Sequence, residues 1–289
     1  MGTNSKERSR ESQIDEIFLQ MDRKDIKRTQ NIRLVPGKEN RTGGKHAYGE
    51  WCHVIGIFQT IMYQMLDKKT GNRILDVGCG TGILGISAEL FVGNNGEYIG
   101  LDVDKNSIDF CKNHYNFDNY SFIHHNVKNS VYAGNQPDRR EKWPLESDSF
   151  DLVTALSVWT HLREEDALFY LKEVERVLKP GKKAIITFFY LNREYYESLK
   201  IRKNEIGRYH MFNQCKWIFE NKAYDSQHWY YLFDVPEKAI AVDEQGMKML
   251  VEHSNLEISD VYNGNWKEIP GIFFQDVLIF QKGDGTPNP

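Results

Sequence analysis

Seven residues constrain this chain more than any others: Asp76-Val77-Gly78-Cys79-Gly80-Thr81-Gly82. They follow the apolar pair Ile74-Leu75 and precede a helical pattern that begins near Ile83. Glycines at a strand-to-helix turn bring backbone close to a ligand, because no Cβ intervenes. The following helix adds unpaired N–H groups to the same turn. A chain carrying this turn after its first strand is expected to alternate strands and helices.

The pattern agrees. Strands are expected at Ile74-Leu75-Asp76-Val77, Tyr98 to Asp102, Phe122 to His124, Phe150 to Ala155 and Lys183 to Tyr190. Helices are expected from about Ile83 to Leu90, Ser107 to Asn113 and Glu164 to Leu178, the last closed by Lys179-Pro180-Gly181. Strand, helix, strand at this spacing implies right-handed parallel crossovers and a sheet covered on both faces. A core helix from Glu50 to Leu66 leads in. A helix from Asp243 to His253 and strands at Leu256 to Tyr262 and Phe273 to Phe280 complete the chain.

Five segments follow. Residues 1–45 form a polar, basic arm with 11 Lys and Arg against 7 Asp and Glu, expected to be largely flexible. Within it Ile14, Ile17, Phe18 and Met21 are spaced for one short amphipathic helix. Residues 46–191 form the ligand-binding core. Residues 192–235 form an aromatic insert, expected to act as a lid; positions 190 to 233 hold 12 aromatics. Residues 236–282 complete the sheet, and 283–289 are expected to be a disordered tail.

Charge narrows the partners. A net charge of -4 gives no basic face for nucleic acid. No apolar run approaches the roughly 20 residues that span a bilayer. Four widely spaced cysteines read as reduced thiols, and with no secretory signal in view the expected location is the cytoplasm. The nine histidines show no ligand spacing; His124 and His125 are adjacent and point to opposite sides of a strand. No metal is expected.

The glycine loop alone is ambiguous, since Gly80-x-Gly82-x-x-Gly85 also satisfies the dinucleotide pattern. Asp76 tips the balance: a carboxylate there suits a cationic amino acid group better than a pyrophosphate. Ile74 to Gly82 resembles motif I of the class I S-adenosylmethionine-dependent methyltransferases. Phe150 to Val153 and Val177-Leu178-Lys179-Pro180-Gly181 resemble that family's later motifs, although Lys182 replaces a usual second glycine. The resemblance covers residues 46 to 282. It implies a seven-stranded sheet with the last strand antiparallel, S-adenosylmethionine as donor and S-adenosylhomocysteine as product.

The resemblance also implies roles. Asp76, Gly78, Cys79, Gly80 and Gly82 would meet the donor's methionine end. Asp102, at the end of the second strand, would meet the ribose and Asn126 and Val127 the adenine; Val103 and Leu156 would also belong to the donor site. Ser157 to Leu162, Thr187 to Asn192 and Gln275-Asp276-Val277 are similar to a bacterial subgroup associated with polysaccharide functions, which suggests a sugar acceptor. His161, after the fourth strand, is the candidate base, since imidazole takes a hydroxyl proton near neutral pH. Tyr48 is a second catalytic candidate, with Trp51 nearby. Tyr190, Asn192, Trp229 and Trp266 are candidates for the acceptor, the tryptophans as platforms for a sugar ring; His46 and Asp276 are secondary. The expected activity is O-methylation of a small polar acceptor. Alternatives are N-methylation of a small metabolite, NAD-dependent oxidation and a non-catalytic binding role.

Overall fold

The computed structural model describes residues 16, 30–43, 45–127, 139–202, 207 and 216–285. The chain alternates as its pattern predicts: α1 (Tyr48–Met65), β1 (Arg73–Val77), α2 (Ile83–Val92), β2 (Glu97–Asp102), α3 (Lys105–His114), β3 (Tyr120–His124), β4 (Phe150–Ala155), α4 (Glu164–Val177) and β5 (Leu178–Leu191). Then follow α5 (Arg193–Ile201), β6 (Asn221–Lys222), β7 (Trp229–Tyr231), β8 (Ile240–Asp243), α6 (Glu244–Ser254), β9 (Leu256–Tyr262) and β10 (Asp276–Lys282).

The main sheet runs β3-β2-β1-β4-β5-β10-β9. Its first four pairings are parallel, and β10 enters antiparallel between β5 and β9. That is the seven-stranded arrangement with an antiparallel last strand. Three short strands come in addition: β8 joins the far end of β5, and β7 and β6 extend from it. Strands β1 and β4 read as near-continuous apolar runs because helices cover both faces; every residue of β4 is buried.

Two large apolar clusters fill the two faces, and a third lies beyond the end of β5. This third core gathers Phe189, Tyr195, Trp217, Phe219 and Trp266. Most aromatics of the 190–233 stretch that fall in the described residues therefore build packing, while Tyr196 and Tyr224 stay exposed. Phe189 stands 5.2 Å from both Trp217 and Trp266, within the range for favourable ring pairs.

Residues 30–43 pack on the core, with Val35 and Asn31 buried. Asn31 Nδ2 donates to Ile86 O at 2.7 Å, and His114 Nε2 lies 2.8 Å from Leu34 O. Polar composition hid this, because the anchors are isolated residues between charged ones. Of the amphipathic helix expected at Ile14 to Met21, only Glu16 falls among the described residues. Among those described, no helix is long and apolar enough to cross a membrane.

Candidate functional site

Strands β1, β2 and β4 deliver the site through their carboxyl ends, where open parallel sheets leave a crevice. Past Val77 the Gly78 and Cys79 amides donate to Leu101 O at 2.7 and 3.2 Å, pinning the loop to the end of β2. Gly82 and Gly80 are glycines for different reasons. A Cβ on Gly82, at φ +92°, would stand 2.5 Å from the Tyr115 ring, so that glycine admits an aromatic neighbour. A Cβ on Gly80, at φ +51°, would meet only Thr42 Oγ1 at 3.6 Å; its bare face belongs to open space.

That space is a cavity of about 460 Å3, lined by Gly78, Cys79 and Gly80 but not by Gly82. Its size suits a bound small molecule. Asp76 and Asp102 are two of the five acidic residues that line it among the described residues. Asp76 is buried and accepts from Tyr98 OH at 2.7 Å and Thr154 Oγ1 at 2.9 Å. Burial pushes its carboxyl up to about 7, against the pull of those two hydroxyls, and neighbouring Asp102 adds to the rise. Asp102 accepts the Gly80 amide at 2.7 Å and the Asp104 amide at 2.8 Å; burial raises its carboxyl too. Each is a site where positive charge or a hydroxyl donor would be welcome.

The β4 end supplies a loop held under strain. Ser157 is a non-glycine residue at φ +59°. Its amide donates to Thr187 Oγ1 at 2.7 Å, and the Ser157 and Thr187 hydroxyls both donate to Gln275 Oε1, at 2.9 and 2.7 Å. Such conformations persist only where surroundings fix them, and here the lock is Gln275. Four residues on, His161 closes a short 3-10 turn (Trp159–His161). Its Nδ1 lies 2.5 Å from Glu237 O. A carbonyl only accepts, so Nδ1 carries the proton and Nε2 the lone pair. Burial lowers the imidazole pKa, and nearby Lys45 adds to that, so the ring is neutral at pH 7.

The remaining expected residues divide sharply. Val103, Val127 and Leu156 line the cavity, while Asn126 is exposed and does not. His125, unforeseen, does; its Nε2 lies 3.2 Å from Tyr170 OH. Tyr48 is buried below the surface, its hydroxyl toward Ile32 O, and Trp51 on the same helix lines the cavity in its place.

None of the four acceptor candidates lines the cavity. Trp229 and Trp266 are 2% and 1% exposed, so neither has a ring face to offer a sugar. Trp266 donates its indole N–H to Asp276 Oδ2 at 2.9 Å. Asn192 caps α5 through Tyr195 N and accepts from Lys267 Nζ at 2.8 Å. Tyr190 sits above that same ammonium, and burial raises its phenol to about 12. Aromatic density cannot separate a binding platform from a core; only the layer each ring enters does.

Lys45 was also missed. Its segment precedes α1, fixed where Trp51 Nε1 donates to Lys45 O at 2.9 Å. No motif marks it, and a lone lysine in a basic arm gives no sequence signal.

A family model described as a methyltransferase domain matches residues 68–237, more than half of the chain. A demethylmenaquinone methyltransferase from Staphylococcus saprophyticus is 35% identical over 118 residues, 40% of this chain and 44% of that protein. One of the same description from Bacillus velezensis is 34% identical over 123 residues, 42% of this chain and 47% of that one. The chain spans less than half the length of these curated relatives. A solved structure of a protein from Pyrococcus horikoshii OT3 is 17% identical, covers 81% of this chain and 91% of its own, and superposes with a TM-score of 0.51, a likeness of fold.

Proposed function

Because this chain belongs to the class I S-adenosylmethionine-dependent methyltransferase family, we propose that it transfers a methyl group to the hydroxyl of a small polar acceptor, with His161 as the base. The observation that carries this reading is convergence: Gly80's bare face, the Asp76 and Asp102 carboxylates and the His161 ring all open on one cavity. The donor set fits S-adenosylmethionine, which has an ammonium for Asp76, ribose hydroxyls for Asp102 and no phosphate to be repelled. When bound it supplies a methyl carbon on a cationic sulfur that departs with the bond's electron pair.

The chain's own work is then alignment, exclusion of water and removal of one proton. The Glu237 carbonyl holds the His161 ring and fixes its tautomer, and burial keeps it neutral, so Nε2 is able to take the hydroxyl proton. Asp76 disfavours the dinucleotide alternative. Sugars stay within the acceptor class, but their recognition would rest on polar groups around His161, such as Arg163 and Asp166, since the tryptophans are buried. The name of the curated relatives favours a second acceptor, a quinone. The proposed setting is the cytoplasm.

The test uses methyl-labelled S-adenosylmethionine with a fractionated metabolite extract to find the labelled acceptor, then single-turnover kinetics on it. His161→Asn is expected to slow transfer by about 10²–10⁴-fold while S-adenosylhomocysteine affinity stays within about twofold. An unchanged single-turnover rate in a folded variant removes His161 as base. Absence of any label transfer by the wild type removes the activity.

A further inference from the structure

The part of the chain that follows α4 reaches the cavity at one point. Among the described residues after Tyr170, Glu237 alone lines it. Glu237 sits at the tip of the β7–β8 hairpin, in a short 3-10 turn (Pro236–Lys238). The base of that hairpin is fixed to the sheet, where β8 runs parallel to the end of β5. Within residues 234–238 Glu237 is the only buried one.

A buried carboxylate is costly unless it is paired. Three donors converge on Glu237 Oε1: Arg163 Nε at 3.0 Å, Arg163 Nη2 at 2.8 Å and the Tyr224 hydroxyl. The Arg163 guanidinium also lies over the Tyr224 ring, 4.2 Å from its centre. Arg163 stands at the N-cap of α4, two residues past His161. The hairpin tip therefore grips the β4–α4 loop twice: the Glu237 side chain holds Arg163, and the Glu237 carbonyl accepts from His161 Nδ1 at 2.5 Å. Two grips on neighbouring residues fix the rotation of the turn as well as its distance, which a single hydrogen bond cannot do.

Packing alone does not call for this arrangement. An apolar side chain of similar volume would fill the same space, often without loss of stability, because attraction within a buried ion pair repays desolvation only in part. What the carboxylate adds is direction: it anchors the turn so that the carbonyl of the same residue points at the imidazole. An imidazole without such an acceptor exchanges between two tautomers, and only the one protonated at Nδ1 carries its lone pair on Nε2. Resting on the proposed function, we infer that Glu237 is a positioning residue for the base: its side chain, clamped by Arg163 and Tyr224, presents the Glu237 carbonyl to His161 and so holds the ring in its proton-accepting tautomer. The hairpin thereby serves the reaction through one residue at its tip.

The test compares Glu237→Leu, which fills the space without the carboxylate, with Glu237→Gln, which keeps an acceptor oxygen. Protein carrying isotopically labelled histidine and saturated with S-adenosylhomocysteine reports the His161 tautomer by NMR, its signals identified by their loss in His161→Asn. Wild type is expected to show a single tautomer with the proton on Nδ1. Glu237→Leu is expected to show a mixture with the Nε2–H form, while its unfolding transition stays near that of wild type and S-adenosylhomocysteine affinity stays within about twofold. Single-turnover transfer to the metabolite fraction that accepts label should slow by about 10–100-fold, the scale of a misplaced catalytic group. Glu237→Gln should restore the tautomer and most of the rate. In His161→Asn, adding Glu237→Leu should slow transfer no further, since residues acting as one unit are not additive. Should Glu237→Leu not fold, Tyr224→Phe, at an exposed ring, carries the same readouts with a smaller shift in the same direction. An unchanged His161 tautomer in the folded variant overturns the inference, as does equal slowing by Glu237→Leu with and without His161. A shifted tautomer together with full transfer by His161→Asn would instead strike the proposed function, because Glu237 would then position a histidine that is not the base.

Discussion

Asp102 and Asp276 are both buried aspartates at the edges of strands, and they do opposite things. Asp276, at the start of β10, is fully buried and takes four donors: Gly264 N at 2.7 Å, Tyr190 N at 2.8 Å, the Trp266 indole at 2.9 Å and the Lys267 ammonium at 2.7 Å. Lys267 is itself completed by Asn192 and Asn263, at 2.8 and 2.9 Å. No acceptor or donor capacity is left over. Asp102, at the end of β2, holds the Gly80 and Asp104 amides and still faces a cavity. A carboxylate has about four lone-pair positions, so Asp276 is saturated by its own fold and Asp102 keeps room for a ligand.

The comparison predicts that the two regions respond to different measurements. The largest effect belongs to the saturated cluster. Asp276→Ala strips the buried Lys267 of its counter-charge and leaves the indole and two amides without their acceptor, so unfolding should be easier by about 3–5 kcal/mol. Chemical denaturation measures this, and S-adenosylhomocysteine affinity at a temperature where the variant is folded should be little changed. A small stability loss with a large affinity loss would move Asp276 into the site and erase the distinction.

A smaller effect is expected from pH at the cavity. Asp76 has its folded pKa raised by burial to about 7, so below that pH it is neutral and a poor partner for an ammonium. S-adenosylhomocysteine affinity should therefore rise with pH through about 7, by up to roughly tenfold per unit on the acid side. Because the folded value lies above the unfolded one, ligand-free stability from this group is present at low pH and lost as pH climbs through about 7; donor binding offsets the loss. Asp76→Asn should flatten the affinity profile at its acid-side level. A wild-type profile flat between pH 5.5 and 8 would detach Asp76 from the ligand's charge.

The contrast also explains what the sequence could and could not disclose. Asp76, the glycine turn and Asp102 were legible because strand ends and glycines are local signals, and the ligand crevice of a parallel sheet lies where those signals point. The seven strands of the main sheet were all expected, β4 and β9 at the expected bounds, but β5 begins at Leu178, so that the Lys179-Pro180-Gly181 expected to close the helix lies in the strand, and β6, β7 and β8 were not foreseen. Trp229, Trp266 and Asn192 were misplaced because a hydrophobic or amide side chain looks the same whether it enters a third core or a cavity wall. The packing of residues 30–43 hid behind the charged residues between its anchors. Gln275 and Ser157, 118 positions apart, meet only once β10 inserts beside β5. Lys45 had no signal at all: a lone lysine in a basic arm reads alike whether or not its side chain lines a cavity.

The central claim is that the carboxylates left with spare capacity are the ones that hold the methyl donor. Calorimetric titration of S-adenosylhomocysteine into wild type and Asp102→Asn tests it most directly. The Asn side chain keeps one acceptor oxygen and loses the charge, a difference of about 1.5 kcal/mol for one charge-assisted hydrogen bond, so affinity should fall about tenfold while the unfolding transition stays near that of wild type. Equal affinity in the two folded proteins would contradict the account.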